Sequence, residues 1–185
     1  DSSTSRGLGD VYKRQDLLDI TRADAGSASP QWAPLAIDEL VRECCRPHQA
    51  MAAAKGLRFE TAVEPYMVHS DRALLARVLT NLLANAIRYT HAGQVRVDGR
   101  IDDGRLRLRI EDTGIGIAAE HLPQIFDEFY QAGNPARDRR LGYGLGLATV
   151  KRLSDLLDLR VAVRSSAGQG SVFELHLPLV DAGAS

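Results

Sequence analysis

The stretch from Asp71 to Tyr89 constrains the fold most, because at about 100° per residue Leu74, Leu75, Val78, Leu79, Leu82, Leu83, Ala86 and Ile87 share one broad helical face. A face that wide has to pack against another layer. Ser70 is placed to cap this helix. A candidate partner comes directly after it: Val95, Val97, Gly99 and Ile101 alternate with polar residues, Asp103-Gly104 makes a hairpin turn, and Leu106, Leu108 and Ile110 alternate back. Upstream, Ile37 to Lys55 has helical spacing, with Pro47 expected to bend or break it. Leu57, Phe59, Thr61 and Val63 alternate as a half-buried strand, and Pro65 limits the next stretch to a short edge piece ending at Val68. Downstream come short helical pieces between Ala118 and Phe126, a helix from about Leu145 to Leu157, and two strands around Val161 and Val172. Helices set between antiparallel hairpins predict an α+β fold. The expected architecture is a two-layer α/β sandwich, its mixed, mostly antiparallel sheet covered on one face by helices.

The 185 residues leave room for one domain and a short appendage. With 23 basic and 24 acidic residues the net charge is −1, which argues against an obligate nucleic-acid or anionic-membrane surface. No run approaches the roughly 20 apolar residues of a membrane span, and no charged-then-apolar leader opens the chain. The adjacent Cys44 and Cys45 suit neither an ordinary disulfide nor a metal site, so packing and a cytoplasmic setting are expected. Residues 1–15 lack an apolar period, and Asp10 to Gln15 resembles the in-frame translation of a transposon end used to build sequencing libraries. They are expected to be a non-native or disordered leader. Residues 27–34 read as a Ser/Pro linker and residues 181–185 as a tail.

Three clusters could carry chemistry. Asn81 and Asn85, with Arg77 and Arg88, form an amide-and-guanidinium stripe beside the apolar face of the long helix. Asn oxygens suit Mg²⁺ shared with phosphates and Arg suits the phosphates themselves, though either Asn could simply satisfy backbone groups. Asp112-Thr113-Gly114-Ile115-Gly116 ends a strand, so a carboxylate stands at the sheet edge with glycines that let backbone approach closely. That arrangement could read an adenine, or be an ordinary loop. Gly142-Tyr143-Gly144-Leu145-Gly146 opens a helix, a natural phosphate position, with Arg137, Arg139 and Arg140 just before it. Without a strand preceding these glycines, a dinucleotide site is disfavoured.

In this order and spacing the clusters resemble the ATP-binding catalytic domain of sensor histidine kinases, within the superfamily of gyrase, heat-shock chaperone and mismatch-repair ATPases. NLLANAIRYT (Asn81 to Thr90) is similar to the N box, DTGIGI (Asp112 to Ile117) to the G1 box, IFDEFYQ (Ile125 to Gln131) to the F box and GYGLGL (Gly142 to Leu147) to the G2 box. The resemblance covers roughly residues 35–180 and implies a Bergerat-type ATP-binding fold. LLDITRADAG resembles the tail of the helical dimerisation domain, making residues 16–26 the end of a truncated phosphoacceptor domain. The lid and the closing GQGSVFELHLP are similar to versions in PAS-linked hybrid kinases.

Carried over residue by residue, the resemblance implies ATP and Mg²⁺ as cofactors. Asn85 would bind the metal, Asn81 and Arg88 the phosphates, and Asp112 the adenine amino group. Gly114, Gly116, Ile117, Tyr89 and Ser171 would line the nucleotide. Phe126 and Phe129 would anchor a lid, with Arg139, Arg140, Gly142, Gly144, Leu145 and Gly146 closing on the phosphates. Two departures stand out: Arg88 where Lys is frequent, and Tyr143 where a small residue is common. The implied reaction is γ-phosphoryl transfer from Mg-ATP to a histidine of a dimerisation domain missing from this chain, in two-component signal transduction. Implied partners are that domain, a response-regulator receiver domain and a second protomer of the full-length protein, with no nucleic acid and no membrane contact by this fragment. Asn81 stands where the superfamily's hydrolases carry Glu, which favours a kinase over an ATPase. The alternatives are a non-catalytic nucleotide-binding or docking module and an anti-sigma-factor-type Ser kinase. None of the five histidines, His48, His69, His91, His121 and His176, sits in the family's His-Glu/Asp-x-x-Thr/Asn-Pro context.

Overall fold

The computed structural model describes residues 29–128, 130 and 146–180. Within them the order is β1 (Ala33–Ala36), α1 (Ile37–Ala54), β2 (Arg58–Ala62), β3 (Met67–Ser70), α2 (Arg72–Arg88), β4 (Gln94–Asp102) and β5 (Arg105–Asp112). A 3₁₀ turn at Leu122–Gln124, α3 (Gly146–Leu156), β6 (Arg160–Ser166) and β7 (Gly170–Pro178) complete it. Five strands form one sheet in the order β2-β4-β5-β7-β6, parallel between β2 and β4 and antiparallel elsewhere, while β1 and β3 pair separately. This is the mixed two-layer sandwich expected from the patterning.

Period-two alternation builds one side of the core, since Val95, Val97, Leu106, Leu108, Ile110, Phe173, Leu175 and Leu177 are all buried on the same sheet face. Against them lies α2, flanked by α1 and α3. Its Leu75, Val78, Leu79, Leu82, Leu83, Ala86 and Ile87 are each no more than 3% exposed, so this one face contributes roughly 2 kcal/mol per large side chain. Lys55, at the end of α1, donates from Nζ to the Ile87 carbonyl at 2.6 Å, placing a cation at the C-terminus of α2 where the helix dipole favours it.

Four expectations need correction. Asp71, not Ser70, caps α2: its Oδ1 accepts the Leu74 N–H at 2.9 Å. The carboxylate outcompetes the hydroxyl because it also accepts the Gln31 N–H on Oδ2 at 2.7 Å, serving two orphan donors at once. Pro47 does not break α1, which runs on to Ala54. Pro47 is exposed, so its ring stands clear of the core, and His48 Nδ1–H donates to the Cys44 carbonyl at 2.7 Å, near the hydrogen bond that proline removes. The stretch read as a linker ends in structure, because Ala33 and Pro34 belong to β1 and pair with Ser70 and His69. Trp32 stacks on His69 just before it, centroids 5.8 Å apart. Finally, β2 is largely exposed rather than half-buried, as an edge strand can be.

Both cysteines are free and buried, as packing required. Burial pushes the Cys45 thiol up to about 12 and raises Cys44 as well, so neither is a ready nucleophile. Among the described residues no helix is long and apolar enough to cross a membrane.

Because Asp71 joins the incoming chain to the first turn of α2, Asp71→Ala should lower stability by about 1–2 kcal/mol, read from the urea midpoint. Ser70→Ala should change it by less than half as much.

Candidate functional site

Two element ends meet at one corner of the sheet. α2 stops at Arg88, and Tyr89 turns its carbonyl outward, where it accepts the Ile115 N–H at 3.0 Å. β5 stops at Asp112, whose neighbour in register on β7 is Ser171. The loop after Asp112 is therefore held from both sides. A Cβ on Gly114 would come within 2.3 Å of the Tyr89 carbonyl and 2.8 Å of Asp112 Oδ1. Gly116 has φ +66°, and a Cβ there would lie 1.9 Å from the Ser166 carbonyl. Both glycines are thus required by close contact within the protein itself.

Asp112 is 7% exposed, and burial pushes its carboxyl above the ordinary aspartate value. Opposing this, the N–H groups of Gly114 and Ser171 and the Thr90 side chain hydrogen-bond to it and favour the anion, the Gly114 N–H at 2.9 Å. An acceptor so placed is fixed in position and only partly satisfied in charge. Such a group can take an N–H from a ligand that excludes water around it.

One turn before Tyr89, Asn85 is half-buried on α2, and Asn81 lies one turn earlier. Asn81 Nδ2 is buried without a hydrogen-bond partner, an amide donor left over by the fold. Arg88 closes the helix and is exposed. Ile117 donates its N–H to Ser165 Oγ at 2.7 Å, and Ser165 Oγ lies 2.8 Å from Ser171 Oγ. Gly146 is the first residue of α3, and Phe126 packs on the core beside buried Ile125. The structure thus gathers Tyr89, Asp112, Gly114, Gly116, Ile117 and Ser171, with Asn81, Asn85 and Arg88 along the adjoining helix. Phe129, Arg139, Arg140, Gly142, Gly144 and Leu145 lie outside the described residues, as does the rest of the lid.

Three contributors are not singled out by sequence. Thr90 is fully buried, with Oγ1 2.7 Å from the Ala86 carbonyl and beside Asp112, so its one hydroxyl proton can be given to either acceptor. Ser165 links the glycine loop to β7. Gly170, at φ +84°, would place a Cβ 2.0 Å from the Asp112 carbonyl. For Thr90 a signal exists, because it is the last residue of the N-box-like segment NLLANAIRYT. Gly170 falls in the closing GQGSVFELHLP, though only the β5–β7 register brings it to Asp112, and Ser165 carries no local signal, since only the β6–β7 register brings it here.

Metal fitness depends on the donor set. Among the described residues no three His, Cys, Asp or Glu side chains converge to hold an ion. Any cation here would rely on a neutral amide and on ligand oxygens, which is how Mg²⁺ is commonly held beside phosphates.

The family model described as histidine kinase-, DNA gyrase B- and HSP90-like ATPase matches residues 70–181, more than half of the chain. The chain belongs to this family. A sensor-like histidine kinase of Rhizobium meliloti (strain 1021) is 33% identical over 172 residues, covering 91% of this chain and 33% of that protein. The autoinducer 2 sensor kinase/phosphatase LuxQ of Vibrio cholerae is 34% identical over 171 residues, covering 89% of this chain and 20% of LuxQ. Among solved structures, full-length ShkA in complex with AMPPNP superposes with a TM-score of 0.78 at 33% identity, covering 91% of this chain and 35% of ShkA. The chain therefore spans a third or less of the length of the first two relatives, and it is a histidine kinase-type ATPase domain of the kind found in two-component sensor kinases.

Two measurements check this corner. Since burial raises the Asp112 pKa, the native state binds that proton more readily than the unfolded chain, and the ionised carboxylate costs stability as pH rises through the native pKa. Without nucleotide, Asp112→Asn should therefore raise Tm at pH 7, with the gain fading as pH falls through the raised native pKa and gone below about 4. Gly116→Ala, which needs positive φ and strikes the Ser166 carbonyl, should cost more than about 2 kcal/mol in urea unfolding.

Proposed function

We propose that this chain binds Mg-ATP and transfers its γ-phosphoryl group to a histidine on a helical dimerisation domain, as part of two-component signalling. The observation that carries the reading is Asp112, a buried carboxylate held by the Gly114 and Ser171 backbone at the point where α2 and β5 end together. In this reading Asp112 accepts the adenine amino group, and Tyr89, Gly114, Gly116, Ile117 and Ser171 shape the adenine pocket. Asn81 offers its buried Nδ2–H to phosphate oxygen, Arg88 adds charge, and Asn85 supplies an amide oxygen to Mg²⁺. Mg²⁺, when bound, would neutralise phosphate charge; positioning by the chain supplies the rest, because the nucleophile belongs to the substrate histidine. Phe129, Arg139, Arg140, Gly142, Gly144, Leu145 and Gly146 are assigned to the lid and phosphate side by resemblance.

Asn81 also supports transfer over hydrolysis, since an amide cannot take a proton from water as a carboxylate can. Residues 35–180 are taken as the catalytic domain, with β1 joined to it, and residues 16–26 as the end of the dimerisation domain. In the full protein the partners are then a second protomer and a receiver domain.

Calorimetric titration of the chain with Mg-ATP, followed by γ-labelled ATP and a separately supplied phosphoacceptor domain, tests this. Acid-labile phosphate is expected on the acceptor and on none of the chain's own five histidines. Binding without transfer would instead indicate a docking module. Asn85→Ala should weaken Mg-ATP at least tenfold without changing Tm by more than a few degrees, and Asp112→Ala should weaken ATP far more than inorganic triphosphate. Equal losses for both ligands would remove Asp112 from the adenine pocket.

A further inference from the structure

On the helix-facing side of the sheet, register lines up Val97, Ile110, Phe173 and Val163 as one apolar row, and the next row reads Val95, Asp112, Ser171 and Ser165. A carboxylate and two hydroxyls thus stand side by side where the preceding row is wholly apolar. Asp112 and Ser171 are each 7% exposed, and Ser165 is half-buried. Ser165 Oγ makes three contacts, with the Ile117 N–H at 2.7 Å, the Gly170 carbonyl at 2.8 Å and Ser171 Oγ at 2.8 Å. A hydroxyl has one proton and two lone pairs, which fixes the direction of each. The Ile117 N–H only donates, so it occupies one lone pair. The Gly170 carbonyl only accepts, so it takes the Ser165 proton. All three contacts are then made only if Ser171 donates into the remaining lone pair. With its single proton given to Ser165, Ser171 Oγ turns lone pairs alone toward anything else that approaches it, and Asp112 beside it is an acceptor through its carboxylate.

We propose that Ser165 is a specificity-determining positioning residue for the base: by holding the Ser171 proton it leaves Asp112 and Ser171 as a pair of acceptors, which selects a purine bearing an amino group over one bearing an oxo group. This rests on the reading of the corner as an adenine pocket. The spacing suits it. Side chains directly opposite one another on adjacent strands have Cβ atoms about 5 Å apart. The two N–H bonds of one amino group diverge by about 120° and, with acceptors at about 2.9 Å, end on oxygens about 5 Å apart. One amino group can therefore be held by Asp112 and Ser171 together. An oxo group in its place has no proton for either. A Ser171 hydroxyl free to turn would donate to that oxo group and weaken the choice, because a site discriminates best when its polar groups cannot adapt to the wrong partner. Ser165 acts here through Ser171, and its own three contacts are all made within the protein.

The test is calorimetric titration of the full 185-residue chain with Mg-ATP and with Mg-ITP, its 6-oxo counterpart. The unaltered chain should prefer ATP by at least tenfold. Ser165→Ala, which frees the Ser171 hydroxyl to turn, should lower that preference at least fivefold by favouring ITP relative to ATP, and Ser165→Thr, which keeps a hydroxyl, should retain it. Loss of the Ile117 anchor alone would weaken both nucleotides in parallel, so a parallel loss in Ser165→Ala, or an unchanged preference, overturns the proposal. Ser171→Ala gives a readout that does not depend on Ser165→Ala folding. It leaves Ile117 and Gly170 paired with Ser165, removes one acceptor, and should weaken ATP at least threefold while ITP affinity stays the same. An unchanged ATP affinity in that variant also overturns the proposal. Failure of the unaltered chain to bind either nucleotide would remove the adenine reading itself, whereas equal binding of ATP and ITP would remove only the role assigned to Ser165.

Discussion

Everything at the candidate site hangs from the burial of one helix face. Seven side chains of α2 fill the layer between α1, α3 and the sheet, leaving the helix almost no freedom to rotate or slide without opening the core. Its two ends are therefore fixed reference points. At the start, the Asp71 carboxylate joins the first turn to the chain entering at Gln31. At the finish, Lys55 holds the last carbonyls from one side and the glycine loop bonds to Tyr89 from the other. Asn81 and Asn85 inherit their positions from this packing, at the margin of the apolar face where a polar side chain is half-covered yet still able to meet a ligand.

Asp112 shows the opposite tendency. The core tolerates a carboxylate there only because two backbone N–H groups and Thr90 surround it, and even so burial keeps its pKa raised. The fold thus keeps a polar group in a place where an apolar one would be more stable. That tension is typical of groups retained for recognition.

Much of this was legible because the signals are local. The 3.6-residue period of α2, the two-residue period of β4 and β5 and the Asp103-Gly104 turn are each written within a few residues, and the structure agrees on all three. So were the spacings that identified the family. The features that stayed hidden depend on distant partners. β1 is only four residues, contains Pro34 and lacks a clean alternation, so nothing marks it until β3 offers an edge. Ser70 and Asp71 are both good caps, and only the Gln31 N–H favours the second. Pro47 promised a break, but at an exposed position within a well-packed helix tertiary contacts prevail over local propensity. Ser165 and Gly170 reach the Asp112 corner through the strand order, which no short window of sequence contains.

The pairing of Asp112 with Ser171 has a further meaning for how such a domain can vary. β5 and β7 are neighbours in space, while everything from Thr113 to Gly170 is an excursion that leaves one strand and returns to the other. The entropy of closing so long a loop rises only slowly, by about 0.6 kcal/mol per doubling of its length. Residues can therefore be added or removed along the excursion, away from α3 and β6, while the strand pair at the Asp112 corner keeps its register. Change in this fold is freest along the part of that excursion outside α3 and β6 and most restricted in the strand pair that carries Asp112 and Ser171.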